Sequence, residues 1–381
     1  MSEPRPPDHR SDGTPGAGAE AAVGVATPRR WGVAFLGVLG AGLVLALSAL
    51  LELDRLPEAP LASGEWTAVL QEEIEEALPI YEPALQLWTA VRLALFAEGG
   101  PGVVVGEDGW LFTEEELALS RGDAILLKEK LRVIEERARA FREREIPLVI
   151  ALLPAKARIY EDRLPAGGLP RGVDARLAAA GRALREISRE EGGAPLLIPD
   201  LLPPLEQARA AGEQVFLRTD THWTPAGAAV AARAIAAVAA PVLRERGVPA
   251  RRFETRSREE LRHRGDLLRF LPLGPFAEAL APAPERILRR DTRPAGGGGG
   301  GLFDDPSIPV TLVGTSYSAG ELWNFRGFLA EELQADVLNL AEEGRGPFAP
   351  MRDYLAGQTI TEQPPELVIW EIPERYLTQQ P

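Results

Sequence analysis

The sequence predicts an α/β sandwich with a mainly parallel central sheet, and two observations carry that expectation. Helix-length amphipathic segments alternate with short apolar runs from about residue 126 onward, the pattern of strands joined by crossover helices. In addition, Ile146 to Leu153 is a continuous apolar run, as expected of a strand buried on both faces rather than one. The 381 residues, 45% of them apolar, suffice for one large domain with a real core.

In chain order, residues 1–30 are rich in Pro, Gly, Ala and charge and are expected to form a disordered tail. Trp31 to Leu51 is twenty-one residues without a charge, the length of one helical bilayer crossing. Arg29 and Arg30 precede it, whereas Glu52, Asp54 and Glu58 follow. The positive-inside rule therefore puts the tail in the cytoplasm and the remainder outside, in the periplasm of a bacterium anchored in its inner membrane. Residues 52–100 read as a helical stalk broken by Pro57, Pro60, Pro79 and Pro83, and residues 101–381 as the folded domain. Gly106-Glu107-Asp108-Gly109, between two apolar runs, predicts a hairpin with the glycines supplying positive φ.

Leu126 to Arg144 is expected as a charged helix, Ile146 to Leu153 as a strand, and Arg176 to Glu191 as a helix. A short strand at Pro195 to Ile198 and a helix at Pro204 to Ala211 follow, then a helix from Pro225 to about Arg246. Further strands are expected at Pro309 to Val313, Asp336 to Leu340 and Leu367 to Ile372, with a helix at Glu321 to Leu333. Between about 251 and 306 the regular pattern fails. This stretch is expected to be a flexible insertion ending in Gly296 to Gly301, a linker and not a phosphate loop, since no Lys-Ser/Thr follows.

The net charge of −14 falls outside residues 1–30, whose four arginines balance four acids. Such an acidic domain argues against nucleic acid as a partner. Cysteine is absent, which excludes disulfides, thiol chemistry and thiolate metal sites; no metal and no cofactor are expected.

Chemistry concentrates in two stretches. In Asp220-Thr221-His222-Trp223-Thr224-Pro225 a carboxylate two residues before a histidine can orient the imidazole, the supporting half of a nucleophilic triad. The same residues also suit a helix start, with Thr224 as N-cap and Pro225 at the first helical position. Of the three histidines, His9 lies in the tail, and His263, flanked by Arg262 and Arg264, reads as solvated. The hydroxyl is expected in Gly314-Thr315-Ser316-Tyr317-Ser318, directly after a strand. Ser316 there would attack, and the N–H groups of the next helix start, including that of Ser316, would face an oxyanion. Capping of the following helix by Thr315, Ser316 or Ser318 is the plainer alternative. Ligands in open α/β sheets gather beyond the carboxyl ends of the strands, so Lys156, Asp200, Ser316 and Glu371 can border one crevice. Arg218, Arg326 and Arg345 are the nearest cations for an anionic polymer, and Trp323 and Asn324 can line a sugar site.

These motifs, with Gly106 to Phe112, Pro154-Ala155-Lys156 and Trp370-Glu371-Ile372-Pro373-Glu374-Arg375-Tyr376, resemble the alginate O-acetyltransferase AlgJ/AlgX family from about residue 101 to the end. The resemblance implies an SGNH-hydrolase-like three-layer sandwich with permuted catalytic blocks and a triad on Asp220, His222 and Ser316. It implies acetyl transfer in the periplasm to an exopolysaccharide hydroxyl, with a membrane-bound O-acyltransferase as donor partner. Gly344 or Gly346 would then add an oxyanion N–H. Triad chemistry alone leaves a secreted carbohydrate acetylesterase open, and an inactive polysaccharide-binding or assembly subunit is the remaining alternative.

Overall fold

A computed structural model of the chain describes residues 78, 80–189, 192–296 and 308–379, with isolated helical positions between 33 and 44. The chain divides into two units, Met1–Glu82 and Pro83–Pro381. Of the first, Val33, Phe35, Leu36 and Val44 are helical and exposed. The expected tail, most of the expected anchor and the first part of the expected stalk lie outside the described residues.

The second unit is built on five parallel strands in the order β4-β3-β9-β7-β8. They are β3 (Leu148–Leu153), β4 (Leu196–Leu197), β7 (Val310–Val313), β8 (Val337–Asn339) and β9 (Leu367–Pro373). Two antiparallel pairs stand apart from them, β1 (Val103–Val105) with β2 (Leu111–Thr113) and β5 (Phe253–His263) with β6 (Glu285–Pro294). The helices that position the site are α1 (Tyr81–Phe96), α2 (Asp123–Glu143), α3 (Arg171–Ser188), α4 (Leu202–Ala210), α5 (Pro225–Glu245), α6 (Ser316–Ala319), α7 (Phe325–Leu333) and α8 (Phe348–Ala356).

Side chains alternate across the central strands because the strand period is two, and the two sets enter separate cores. Val149, Ala151, Leu153, Leu312 and Ile369 face α5 and α7, against Ala231, Ile235, Ala239 and Leu329. Leu148, Ile150, Leu152, Val368 and Trp370 face α2, α3 and α8, against Ile134, Phe141, Leu184 and Met351. Both faces are covered, which gives three layers and explains the unbroken apolar runs. Helix α5 is long and apolar enough to cross a membrane by composition, but its alanine face is packed on the sheet.

The strand order also fixes where a site can form. The chain steps outward from β3 to β4 on one side and from β7 to β8 on the other, and β9 returns to fill the gap between them. The crevice beyond the carboxyl ends of β3, β9 and β7 is therefore a switch point of the kind that holds ligands.

Three expectations need correction, and a fourth falls outside the described residues. Residues 253–263 and 285–294 are not irregular but form a long two-stranded ribbon; charged residues mask the strand period, since β5 is largely exposed and only Glu285 and Ile287 of β6 are buried. The glycine run from 297 on lies outside the described residues. The folded unit does not begin at 101, since Ala90 and Leu93 of α1 pack on Val103, Leu267 and Leu271. The helix expected at Glu321 to Leu333 is broken, with Asn324 at φ 54° separating a 3-10 turn from α7. In the first hairpin, Asp108 (φ 52°) and Gly109 (φ 73°) take the positive φ values, while Gly106 serves a close approach to the Arg163 carbonyl.

Ile150 has no exposed surface at the middle of the sheet. Truncating it (Ile150→Ala) is expected to cost about 2–5 kcal/mol, read as a lower urea midpoint with an unchanged slope.

Candidate active site

The segment that carries Asp220 and His222 is a tight loop closed by backbone bonds. Phe216 and Trp223 form an isolated bridge, Leu217 N–H donates to His222 O at 3.0 Å, and Thr224 N–H donates to Val215 O at 3.0 Å. Thr224 then caps α5, its Oγ1 accepting from Gly227 N–H, with Pro225 at the first helical position. The helix-start reading of this motif and the triad reading thus hold together: the cap fixes the loop that presents the histidine.

A second segment meets it. After β7, Thr315 caps the short helix α6, which begins at Ser316. Gly314 is required there, because a Cβ would stand 2.5 Å from Glu371 Oε2. Glu371, at the end of β9, accepts from Thr315 N–H at 2.8 Å and from Ser318 Oγ at 3.0 Å. Burial raises its pKa against those hydrogen bonds. Glu371 therefore ties the turn to the sheet and leaves Ser316 half-exposed above it.

The two segments bring a carboxylate, an imidazole and a hydroxyl into line. Asp220 Oδ1 lies 2.6 Å from His222 Nδ1, and His222 Nε2 lies 2.7 Å from Ser316 Oγ. Asp220 Oδ1 also accepts from the His222 backbone N–H at 2.9 Å. Its other oxygen accepts from Asp266 N–H at 3.0 Å and stands 2.7 Å from His263 Nε2. Burial alone would raise the Asp220 pKa, but the hydrogen bonds from His222 and His263 outweigh it and hold the carboxyl well below the usual range. The imidazole of His222 is stacked on Trp323, with ring centroids 4.8 Å apart and planes at 16°, and Tyr317 covers it from another side at 4.8 Å. Tyr317 OH donates to Thr221 O at 2.5 Å, which joins the nucleophile turn to the histidine loop.

The remaining sequence candidates fall into other roles. Lys156 is fully buried, and its Nζ donates to the carbonyls of Leu111, Arg218 and Asp220 at 2.6, 3.0 and 2.9 Å. It does not reach a substrate; it gathers the histidine loop onto the first hairpin, and burial lowers its pKa to about 8. Trp323 is buried against His222 and donates through Nε1 to Ser316 O, so it shapes the triad rather than a sugar site. The Arg218 side chain turns to Ala283 O and lines a cavity of about 830 Å³ that includes neither Ser316 nor His222. Arg345 is paired with Glu342 and Asp353 at the surface, and Asp200 caps its own turn at Leu202. Gly344 (φ 73°) and Gly346 (φ 62°) shape the loop before α8, but among the described residues no hydrogen bond joins either to Ser316. Ser316 is the first residue of α6, so its N–H has no acceptor within the helix, and among the described residues no hydrogen bond uses it.

Asn324 donates to Thr292 Oγ1 of β6 and lines a cleft of about 640 Å³ with Ser318, Gly320, Arg258, Arg290 and Arg326. Glu259, Asp291 and Glu321 line it too, and Arg258, Arg289 and Arg293 are paired with the first two of these acids.

Sequence reasoning missed His263, read as solvated between two arginines. On a strand, however, successive side chains point to opposite faces, so neighbouring arginines say nothing about what His263 faces. Asp220, His222 and Asp266 could by proximity hold a metal ion. Yet both Asp220 oxygens are engaged as above, and both Asp266 oxygens accept from Thr221, through its N–H and its hydroxyl.

Fold and site together define an SGNH-hydrolase-like protein with a Ser-His-Asp arrangement at the carboxyl edge of its sheet. The chain belongs to the family described as SGNH hydrolase-like domain, acetyltransferase AlgX, whose model matches residues 103–374. It is 39% identical over 350 residues to a probable alginate O-acetylase AlgJ of Pseudomonas putida, covering 91% of this chain and 89% of that protein. To the corresponding Pseudomonas aeruginosa protein it is 39% identical over 332 residues, 84% of this chain and 82% of that one. Among solved structures it is similar to the O-acetyltransferase domain of Pseudomonas putida AlgJ, with a TM-score of 0.64 at 39% identity, covering 74% of this chain and 94% of that domain.

Lys156→Met removes the Nζ donor from three carbonyls, of which Arg218 O keeps the Leu111 N–H, and is expected to cost about 1–3 kcal/mol for each carbonyl left unsatisfied, measured by urea unfolding. The Asp220 pKa is depressed on folding, so its contribution is present above the unfolded value of about 4 and lost as pH falls below it. The stability difference between wild type and Asp220→Asn should accordingly narrow as unfolding is measured below about pH 4.

Proposed function

We propose that this protein is a polysaccharide O-acetyltransferase working through an acetyl-serine, with Ser316 as nucleophile, His222 as general base and acid, and Asp220 as its orienter. The observation that carries this reading is the continuous hydrogen-bonded line from Asp220 Oδ1 through His222 to Ser316 Oγ. In the first half-reaction His222 Nε2 takes the Ser316 proton as Oγ attacks the acetyl carbonyl of the donor. The bond to the donor's leaving group breaks, and Nε2 returns the proton to it. The Ser316 N–H faces the oxyanion that forms in between. In the second, a sugar hydroxyl gives its proton to Nε2 and attacks the acetyl-serine, and Oγ leaves as the hydroxyl. Transfer wins over hydrolysis when bound polymer keeps water from the ester.

The names of the relatives favour alginate or a similar exopolysaccharide as acceptor, and the arginine-lined cleft beside the nucleophile turn suits a polyuronate. Residues 31–51 would anchor the chain in the inner membrane, with residues 1–30 as a cytoplasmic tail and the catalytic domain in the periplasm. A membrane-bound O-acyltransferase would supply acetyl groups from within the bilayer. The uncharged Trp31 to Leu51 segment and the arginines before it support this arrangement.

Full-length protein in detergent, given an acetyl ester donor and oligouronates, is expected to show an acetyl group on Ser316 and acetylated product by mass spectrometry. Ser316→Ala should lower the rate by about 10⁴-fold or more with the fold retained. Product formed at an undiminished rate by that variant would overturn the reading, and acetate release without acetylated sugar would favour the esterase.

A further inference from the structure

Asp220 is held from its far side by the base of the β5-β6 ribbon. Gly265 passes so close to the loop that a Cβ would stand 2.0 Å from Thr219 O, and Leu267 N–H donates to that carbonyl. Glu285, opposite His263 in the ribbon register, accepts from Arg218 N–H and Thr219 N–H at 2.8 and 2.9 Å. Asp266 accepts from Thr221 N–H at 2.8 Å. Two groups reach past the loop backbone to the carboxylate: the Asp266 N–H donates to Asp220 Oδ2 at 3.0 Å, and the His263 side chain brings its Nε2 to 2.7 Å from the same oxygen. Its ring also meets Trp323 edge-on at 6.0 Å, and Trp323 is the indole stacked on His222.

We infer that His263 is a positioning residue of the acyl-transfer site, donating from Nε2 to Asp220 Oδ2 so that Oδ1 stays in the plane of His222 Nδ1. The inference rests on the triad reading given above and adds a fourth side chain to it. A carboxylate turns freely about its last bond unless both oxygens are held, and a turned Asp220 would cost the imidazole its fixed tautomer. The charged groups facing His263 are Asp220 from the loop, Asp266 from the following turn and Glu285 from β6. The bond to Asp220, working against burial, raises the pKa of His263, so this donor persists through neutral pH in either ring charge state.

The test uses full-length wild type, His263→Ala, His263→Asn and His263→Gln, with hydrolysis of a chromogenic acetyl ester as readout. Gln can place its amide nitrogen near the position of Nε2, whereas Asn is too short and serves if the Ala variant fails to fold. Loss of one hydrogen bond to a charged group predicts a fall in kcat of about 10- to 100-fold for Ala or Asn, with KM little changed and with most of the loss recovered in Gln. Unchanged kcat in Ala or Asn would overturn the inference. So would a fall that Gln does not restore, since that pattern belongs to packing alone. Failure of the triad reading is distinguishable, because Ser316→Ala measured alongside would then match wild type.

Discussion

Keeping one carboxylate charged beneath a partly buried imidazole is the constraint on which this structure turns. Withdrawing Asp220 from water costs several kcal/mol, and a lone carboxylate there would take up a proton and cease to orient anything. Four donors prevent it: the backbone and ring of His222 on one oxygen, His263 and the Asp266 N–H on the other. Each hydrogen bond to a charged group contributes about 1.5–3 kcal/mol. Together they offset the burial only if the loop cannot drift, and Lys156 supplies that rigidity by collecting carbonyls from both sides of the loop.

The other half of the site is held by a different buried carboxyl, Glu371, at the end of the central strand. It anchors the nucleophile turn to the sheet as Lys156 anchors the histidine loop to the first hairpin. Between the two anchors, Tyr317 spans the gap by donating to the Thr221 carbonyl. The alignment of Ser316 with His222 is therefore a property of two strands' ends and one hairpin, not of the two motifs alone.

The central sheet was legible because its strands are short apolar runs buried on both faces, as in Leu148–Leu153 and Leu367–Pro373. The pairing of Asp220, His222 and Ser316 was legible because few histidines and few post-strand hydroxyls compete for the roles. The ribbon was not, since a solvated two-sided strand such as Phe253–His263 carries no apolar period. Lys156 and Trp323 looked like substrate contacts because side-chain type reveals chemistry but not direction. Lys156 points inward between Trp110 and Phe112, each ring centroid 5.2 Å from its Nζ. His263 escaped notice for the same reason, its partner lying 43 residues away in the chain.

The packing of Trp323 and Tyr317 about the His222 ring removes the room the imidazole would need to turn over. Nδ1 stays committed to Asp220 and Nε2 to the serine edge for the lifetime of the fold. In the proposed cycle every proton then passes through a single nitrogen. Departing donor group and arriving sugar must visit the same edge of the ring in succession, each vacating it before the next can enter.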